Sequence, residues 1–457
     1  MSSAPPIVDA IDWHAAGDEA VQLLTELLRI DTTNAPNRSP TEIDAATFLA
    51  ERFRAEGLEP EVLESKPGRG NVLMRLPGDG SGGDPILLSG HLDVVPADPS
   101  SWSRDPFGGE IHNGWIWGRG AVDMKNMVAM EVMTLLLLHR QGARLKRDLI
   151  FAGVADEEAG CTDGSLWLAE HHPEKIQAEY VISEIGGFTL HQAGKRFYPV
   201  QVAEKGMCWL TITAEGTPGH GSLPNRDNPV ARIGHAAHLL GTQRLPWHKT
   251  PVVERFVRTL ADHQPVPNSW VLRGLLREPL CGTILDKVFP EPSLASTFDA
   301  ALHNTANPTI LAAGDKVNQV PGTASLRVDG RLLPGQTGAD LIAEIERLIG
   351  GGFHYRIDQE MPATETDWDD PIRHYIGEVI DRHDPGAVPI QSMIPGFTDA
   401  KAYSQLGMKC WGFSPVQLPE DCKFAAMFHG NDERIPVEGY KWGTRALFEL
   451  VARMAVA

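Results

Sequence analysis

The chain has 457 residues, of which 42% are hydrophobic and 22% charged, and its formal charge is −19. That length exceeds one ordinary core and predicts two domains, while the acidic balance argues against nucleic acid, whose phosphates need a basic face. No apolar run approaches the roughly 18 residues of a membrane span, so no membrane partner is expected.

Met1–Ala20 carries Pro5, Pro6, Asp9, Asp12, Asp18 and Glu19 where a secretory signal would need an apolar stretch. Helical spacing then begins, with Val21, Leu24, Leu27 and Leu28 on one side of Asp18–Ile30. A second helix is predicted over Thr41–Glu56, stopped by Gly57. Short β-type runs follow at Val72–Leu76 and Pro85–Ser89, then a long buried helix over Met124–Gln141 ending at Gly142. Asp148–Ala155 reads as an apolar strand and Ser165–Glu170 as the start of another helix. Strands alternating with helices predict an α/β fold with a mainly parallel mixed sheet flanked by helices.

Around residue 200 the pattern changes. Met207–Ala214 alternates as a half-buried strand, a helix follows over Asn228–Leu240, and a Pro- and Trp-rich stretch runs to about Ala313. Strands at Ala324–Leu332 and Phe353–Ile357 flank a helix at Gly338–Leu348. This reads as an inserted α+β domain over residues 201–360, between parts of one larger domain at 1–200 and 361–457. The last element is a helix over Glu438–Val456. Five scattered cysteines (Cys161, Cys208, Cys281, Cys410 and Cys422) without a C-x-x-C pair suit reduced thiols in the cytoplasm.

Chemistry concentrates in five motifs: H-L-D-V-V-P at His91–Pro96, G-R-G-A-V-D-M-K at Gly118–Lys125, A-D-E-E-A-G at Ala155–Gly160, S-E-I-G at Ser183–Gly186 and H-G-N-D-E at His429–Glu433. Three of them directly follow apolar strands, where ligands collect in α/β sheets. Asp93 lies two residues beyond His91, within reach of an imidazole that needs its second N–H held. Asp123, between a Gly-rich turn and a helix, suits either a carboxylate bridging two cations or a helix cap. Asp156, Glu157 and Glu158 crowd three carboxylates together, a costly arrangement without a cation. Adjacent Glu157 and Glu158 point in different directions, so one can bind metal while the other holds a water. Glu184 and His429 complete a donor set for two divalent cations.

In combination these motifs resemble the di-zinc peptidase family that includes aminoacylase, succinyl-diaminopimelate desuccinylase, acetylornithine deacetylase and glutamate carboxypeptidase. The resemblance covers roughly residues 20–450 and extends to W-x-x-D-P-F at Trp102–Phe107 and G-T-P-G-H-G-S at Gly216–Ser222. It implies that His91 and Glu184 hold one zinc, Glu158 and His429 the other, and Asp123 bridges them, with cobalt or manganese as permitted substitutes. Asp93 would orient His91, and Glu157 would be the general base acting on a metal-bridging water. A cis peptide after Asp123 is also implied.

The inserted domain would be a lid that makes a homodimer and sends His220 into the partner's active site to stabilise the oxyanion. Asn318, Arg331, Gly396 and Thr398 match substrate-binding positions, Arg331 by pairing with a carboxylate. Lys401 stands where the family often has arginine, which puts a role for it in doubt. The expected activity is hydrolysis of a dipeptide or N-acyl amino acid with a free carboxylate. A catalytically silent dimeric binding protein is the alternative. The aromatics of the Pro/Trp-rich stretch, Trp247, Phe256, Trp270, Phe289 and Phe298, suit either an acyl pocket or dimer packing.

Overall fold

The computed structural model describes residues 4–289 and 292–457, which divide into two compact units. The first comprises the chain up to Val202 together with Thr366–Gln391 and Thr398–Ala457. Its main sheet runs in the order Glu61–Glu64, Gly70–Leu76, Leu149–Val154, Ile86–His91, Tyr180–Ser183, Lys409–Gly412 and Lys195–Glu204. The four middle strands are parallel and the flanking pairs antiparallel. Ile86–His91, Leu149–Val154 and Tyr180–Ser183 are buried at every position, as strands covered on both faces must be.

One cover is the Lys125–Arg140 helix, buried at every residue from Lys125 to Leu138 and flanked by helices Trp13–Leu28 and Val437–Ala455. A helix buried all round belongs in a core even though this one carries Asn126, Glu131 and Thr134 among its apolar residues, and a Leu→Ala change in it costs about 2–5 kcal/mol. On the other side Leu87, Ile150, Ala152 and Val181 pack with Leu168 and Tyr403 from helices Ser165–His171 and Ala400–Gln405. Gly90 sets how closely the first cover approaches. A Cβ there would meet Val128 Cγ2 at 2.7 Å and Met124 Cε at 2.9 Å, so only glycine lets the helix that follows Asp123 lie against the strand that ends in His91. The first long helix starts at Trp13, earlier than apolar spacing predicts, because Asp12 caps it by accepting from His14 N and Ala15 N at 3.0 and 3.2 Å.

The second unit, Ala203–Glu365 with Ser392–Phe397, is built on a four-stranded antiparallel sheet. Its order is Thr305–Ala313, Thr323–Leu332, Gly206–Glu215, His354–Met361. Cys208, Leu210, Ile212 and Ala214 alternate inward against helices Pro229–Thr242 and Gly338–Ile349, while Trp209 points outward. The Pro- and Trp-rich stretch, which periodicity left without elements, forms helices Pro251–Asp262, Asn268–Leu275, Glu278–Lys287 and Pro292–Leu302 and then the Thr305–Ala313 strand. Pro251 and Pro279 stand in first helical turns, where a missing N–H costs nothing, so these prolines start helices rather than break them. Phe256, Phe289 and Phe298 pack on one another, with ring centroids 6.2 and 5.3 Å apart, and Trp270 is 68% exposed. Among the described residues no helix is long and apolar enough to cross a membrane.

Candidate metal centre

His91 is the last residue of its strand, Glu157 and Glu158 open the turn after Leu149–Val154, and Glu184 follows Tyr180–Ser183. All three positions lie at carboxyl ends of parallel strands in the first unit. Asp123 comes from the turn before the Lys125–Arg140 helix, and His429 from a loop residue with φ +56°. The Asp123–Met124 peptide is cis, and so is Glu184–Ile185.

The side chains converge around Asp123. His91 Nε2 lies 3.0 Å from Asp123 Oδ1, 3.7 Å from Glu184 Oε2 and 3.9 Å from Glu157 Oε2. His429 Nε2 lies 3.3 Å from Asp123 Oδ2 and 3.1 Å from Glu158 Oε2. Thus the two oxygens of one carboxylate face two different imidazoles. His91, Asp123 and Glu184 form one group whose donor atoms all lie within 4.8 Å of each other; Asp123, Glu158 and His429 form a second, and His91, Glu157 and Glu158 a third that overlaps both.

Asp93 is wholly buried. His91 Nδ1 donates to the Asp93 main-chain oxygen at 2.9 Å, closer than the Asp93 carboxylate at 3.5 Å. That carboxylate instead accepts from the N–H groups of Glu157 and Glu158, both at 3.1 Å, and from Asn34 Nδ2 at 2.8 Å. Asp93 therefore fixes the backbone that carries two carboxylates of the site, in addition to orienting the His91 ring.

The electrostatics are those of a donor set short of positive charge. Burial raises the Glu157 carboxyl well above its ordinary value, and neighbouring Glu184, Glu158 and Asp399 add to that rise. Burial and the Asp123 charge push Glu184 up to about 8. Burial opposes charging His91, yet Glu184, Asp123 and Asp93 outweigh it and hold the imidazole well above its usual range. Asp123 and Glu158 push His429 up to about 10. Protons thus sit where cations would balance the same carboxylates. Imidazole and carboxylate donors of this kind fit a pair of divalent ions.

Other residues singled out by sequence lie elsewhere. Thr398 is buried in the first unit, its hydroxyl accepting from Ala400 N at 3.1 Å. Lys401 beside it is also buried. In the second unit, exposed His220 pairs with Ser222 Oγ at 2.7 Å, and its two-residue strand is antiparallel to Gln319–Val320, next to Asn318. Arg331 is held by both oxygens of Asp329 at 2.8 and 3.1 Å and lies 5.9 Å over the Phe397 ring, and its Nη1 is buried without a hydrogen-bond partner. Gly396 is half-buried in the same unit. Sequence reasoning missed three residues around the centre. Asn34 and Arg69 tie down Asp156, and Glu433 binds the Asp123 turn. Glu433 ends the H-G-N-D-E motif and was visible as a letter, whereas Asn34 and Arg69 belong to no motif.

Two histidine–carboxylate groups that share one aspartate, set at strand ends and in the loops beside them, are the donor set of a metal-dependent hydrolase. Residues 87–453 match Peptidase family M20/M25/M40, and the chain belongs to that family. It is similar to N-fatty-acyl-amino acid synthase/hydrolase PM20D1 of Bos taurus, 28% identical over 87% of this chain and 79% of that protein. It is also similar to aminoacylase-1 of Sus scrofa, 27% identical over 95% of both chains. In fold it resembles the M20 family metallo-carboxypeptidase Sso-CP2 from Sulfolobus solfataricus, with TM-score 0.65, 19% identity and coverage of 95% and 98%. Human carnosine dipeptidase 1 matches equally well, with TM-score 0.65, 15% identity and 99% coverage of each chain.

Proposed function

We propose that the protein hydrolyses N-acyl amino acids that carry a free carboxylate, and dipeptides as the closely related substrates, using two divalent cations. The observation that carries this reading is the Asp123 carboxylate, whose oxygens lie 3.0 and 3.3 Å from the His91 and His429 rings. His91, Asp123 and Glu184 would hold one ion, and Asp123, Glu158 and His429 the other. When bound, such a pair polarises the scissile carbonyl and lowers the pKa of the attacking water. Zinc suits this donor set best, with cobalt or manganese as functional replacements.

Glu157 takes a proton from the attacking water and passes it to the departing amine. Its carboxylate lies at the centre, Oε2 3.9 Å from His91 Nε2, within reach of a water held there. Arg331, aligned by Asp329 and with one unpartnered N–H group, pairs with the substrate carboxylate. Asn318, Gly396 and Thr398 hydrogen-bond the rest of the substrate, and His220 donates to the oxyanion. Residues 201–360 act as the lid and dimerisation domain, with His220 serving the active site of the partner subunit. A cytoplasmic location fits the five free cysteines. The acyl names of the sequence relatives support the preference for N-acyl substrates over dipeptides.

A panel of N-acyl amino acids and dipeptides, incubated with the zinc-loaded protein and read by mass for released amino acid, tests the proposal. Release from N-acyl amino acids, abolished by a chelator and restored by zinc, is the expected result. No release from any member, or release unaffected by the chelator, would overturn it.

A further inference from the structure

Glu433 has no side-chain exposure, and both its oxygens are fully engaged. Oε1 accepts from Val122 N at 2.6 Å and Asp123 N at 3.0 Å; Oε2 accepts from Gly120 N at 3.0 Å and Arg119 Nη1 at 2.8 Å. Its own main-chain oxygen accepts from Gly118 N at 3.1 Å. Beyond it, Arg434–Pro436 pairs antiparallel with Trp115–Trp117. Arg119 is buried too; its second Nη donates to Pro96 O at 3.3 Å and its guanidinium lies 5.1 Å over Trp102. A single carboxylate thus gathers three amides, of Gly120, Val122 and Asp123, and one cation, all in the turn that delivers Asp123. Charge-assisted bonds of this kind are the strong ones, and leaving their buried donors unpaired is costly.

Glu433 also lies four residues after His429 on the same loop. It therefore ties together the two segments that supply Asp123 and His429. Those are two of the three donors in the Asp123–Glu158–His429 group but only one of the three in the His91–Asp123–Glu184 group. The other two donors of the latter group come from the ends of adjacent, hydrogen-bonded parallel strands, and His91 is further held by the Asp93 oxygen. Their placement does not pass through Glu433.

We propose that Glu433 is a positioning residue that sets the affinity of the Asp123–Glu158–His429 cation site selectively, leaving the His91–Asp123–Glu184 site nearly unaffected. The proposal rests on the two-cation reading above. Groups that orient a ligand from outside typically govern metal affinity by about 10–100-fold. Glutamine is the sharp probe here. Its amide keeps one acceptor oxygen and puts N–H groups where the other oxygen received two donors, so one pair of donors must lose its partner.

The test uses full-length protein stripped of metal with a chelator and titrated with Zn2+ by calorimetry, alongside Co2+ electronic spectra. Wild type takes up two ions. In Glu433→Gln one ion binds as in wild type and the other is weakened by about 10–100-fold. Of the two Co2+ spectral changes, one stays at its wild-type cobalt level while the other shifts to higher cobalt. Arg119→Gln removes the cation but keeps the three amide bonds, so it gives the same selective loss in smaller measure. Should Glu433→Gln fail to fold, that variant carries the test. Equal weakening of both ions, or both affinities within twofold of wild type, overturns the selective role. A wild type that binds fewer than two ions instead overturns the two-cation reading itself.

Discussion

The two halves of the metal centre are made in different ways. His91 and Glu184 ride on neighbouring parallel strands, are almost wholly buried, and take their positions from the sheet. Glu158 and His429 sit on loops; the His429 side chain is 56% exposed and its ring is placed by Asp123 and Glu158. Sheet ends give stiffness without effort, since every neighbour is already hydrogen-bonded. Loops reach the same geometry only through specific buried anchors, here Asp93 for the Glu157–Glu158 turn and Glu433 for the Asp123 turn. One half of the site is inherited from the fold, and the other is held by individual carboxylates.

Experiments can strain that contrast from both sides. The largest effect is expected where the halves meet: Glu157→Gln should lower kcat by about 10²–10⁴-fold, the usual worth of a general base. Calorimetry on the same variant should still count two ions, because the change leaves all five proposed ligands in place. Full activity would remove Glu157 from the mechanism. Next, His220→Ala should cost about 10²–10³-fold in kcat if its ring donates to the oxyanion. Mixing that variant with Glu157→Gln should restore measurable turnover, because one composite site per mixed dimer is then intact; no recovery would confine His220 to its own subunit.

Arg331→Met comes third. It should reduce kcat/KM by roughly 10–150-fold for substrates with a free carboxylate, the equivalent of about 1.5–3 kcal/mol for a charged hydrogen bond. Carboxamide analogues should be hydrolysed about equally by both proteins, and an equal loss for both substrate types would deny Arg331 this task.

The smallest effect is in pH. Without metal, His429 is raised to about 10 and Glu184 to about 8, so near neutrality both halves hold protons that an incoming cation displaces. Since deprotonation favours binding, zinc affinity should rise with pH up to those values, by at most about tenfold per unit for each proton released. Calorimetry in buffers of different protonation enthalpy counts those protons, and a flat or falling affinity from neutral to mildly alkaline pH would contradict the assignment.

What could be read from sequence cuts across that division. Apolar runs such as Leu149–Val154 and Leu135–Leu138 of the long Lys125–Arg140 helix announce themselves, because burial on all sides favours unbroken apolar residues. Motifs at their ends therefore stood out as His91, Glu157, Glu158 and Glu184. The four short helices between Pro251 and Leu302 did not, although Val252, Val253, Val257 and Leu260 stand at helical spacing in the first of them; the prolines and the shortness of the pieces, 8 to 12 residues, gave the stretch the look of a loop. The work of Glu433 was also hidden. Its partners lie more than 300 positions away, and nothing local in H-G-N-D-E says which amides it will accept from. The Asp93 carboxylate was expected beside the His91 ring; its bonds to the Glu157 and Glu158 amides depend on strand alignment that spacing alone does not encode.

The ribbon joining Trp115–Trp117 to Arg434–Pro436 has a consequence for the life of the molecule during synthesis. While the polypeptide is still emerging from the ribosome, the aspartate turn has no late segment to close against and His429 does not yet exist. The second imidazole of the centre is thereby missing from every copy not yet translated past His429, more than three hundred residues after Asp123.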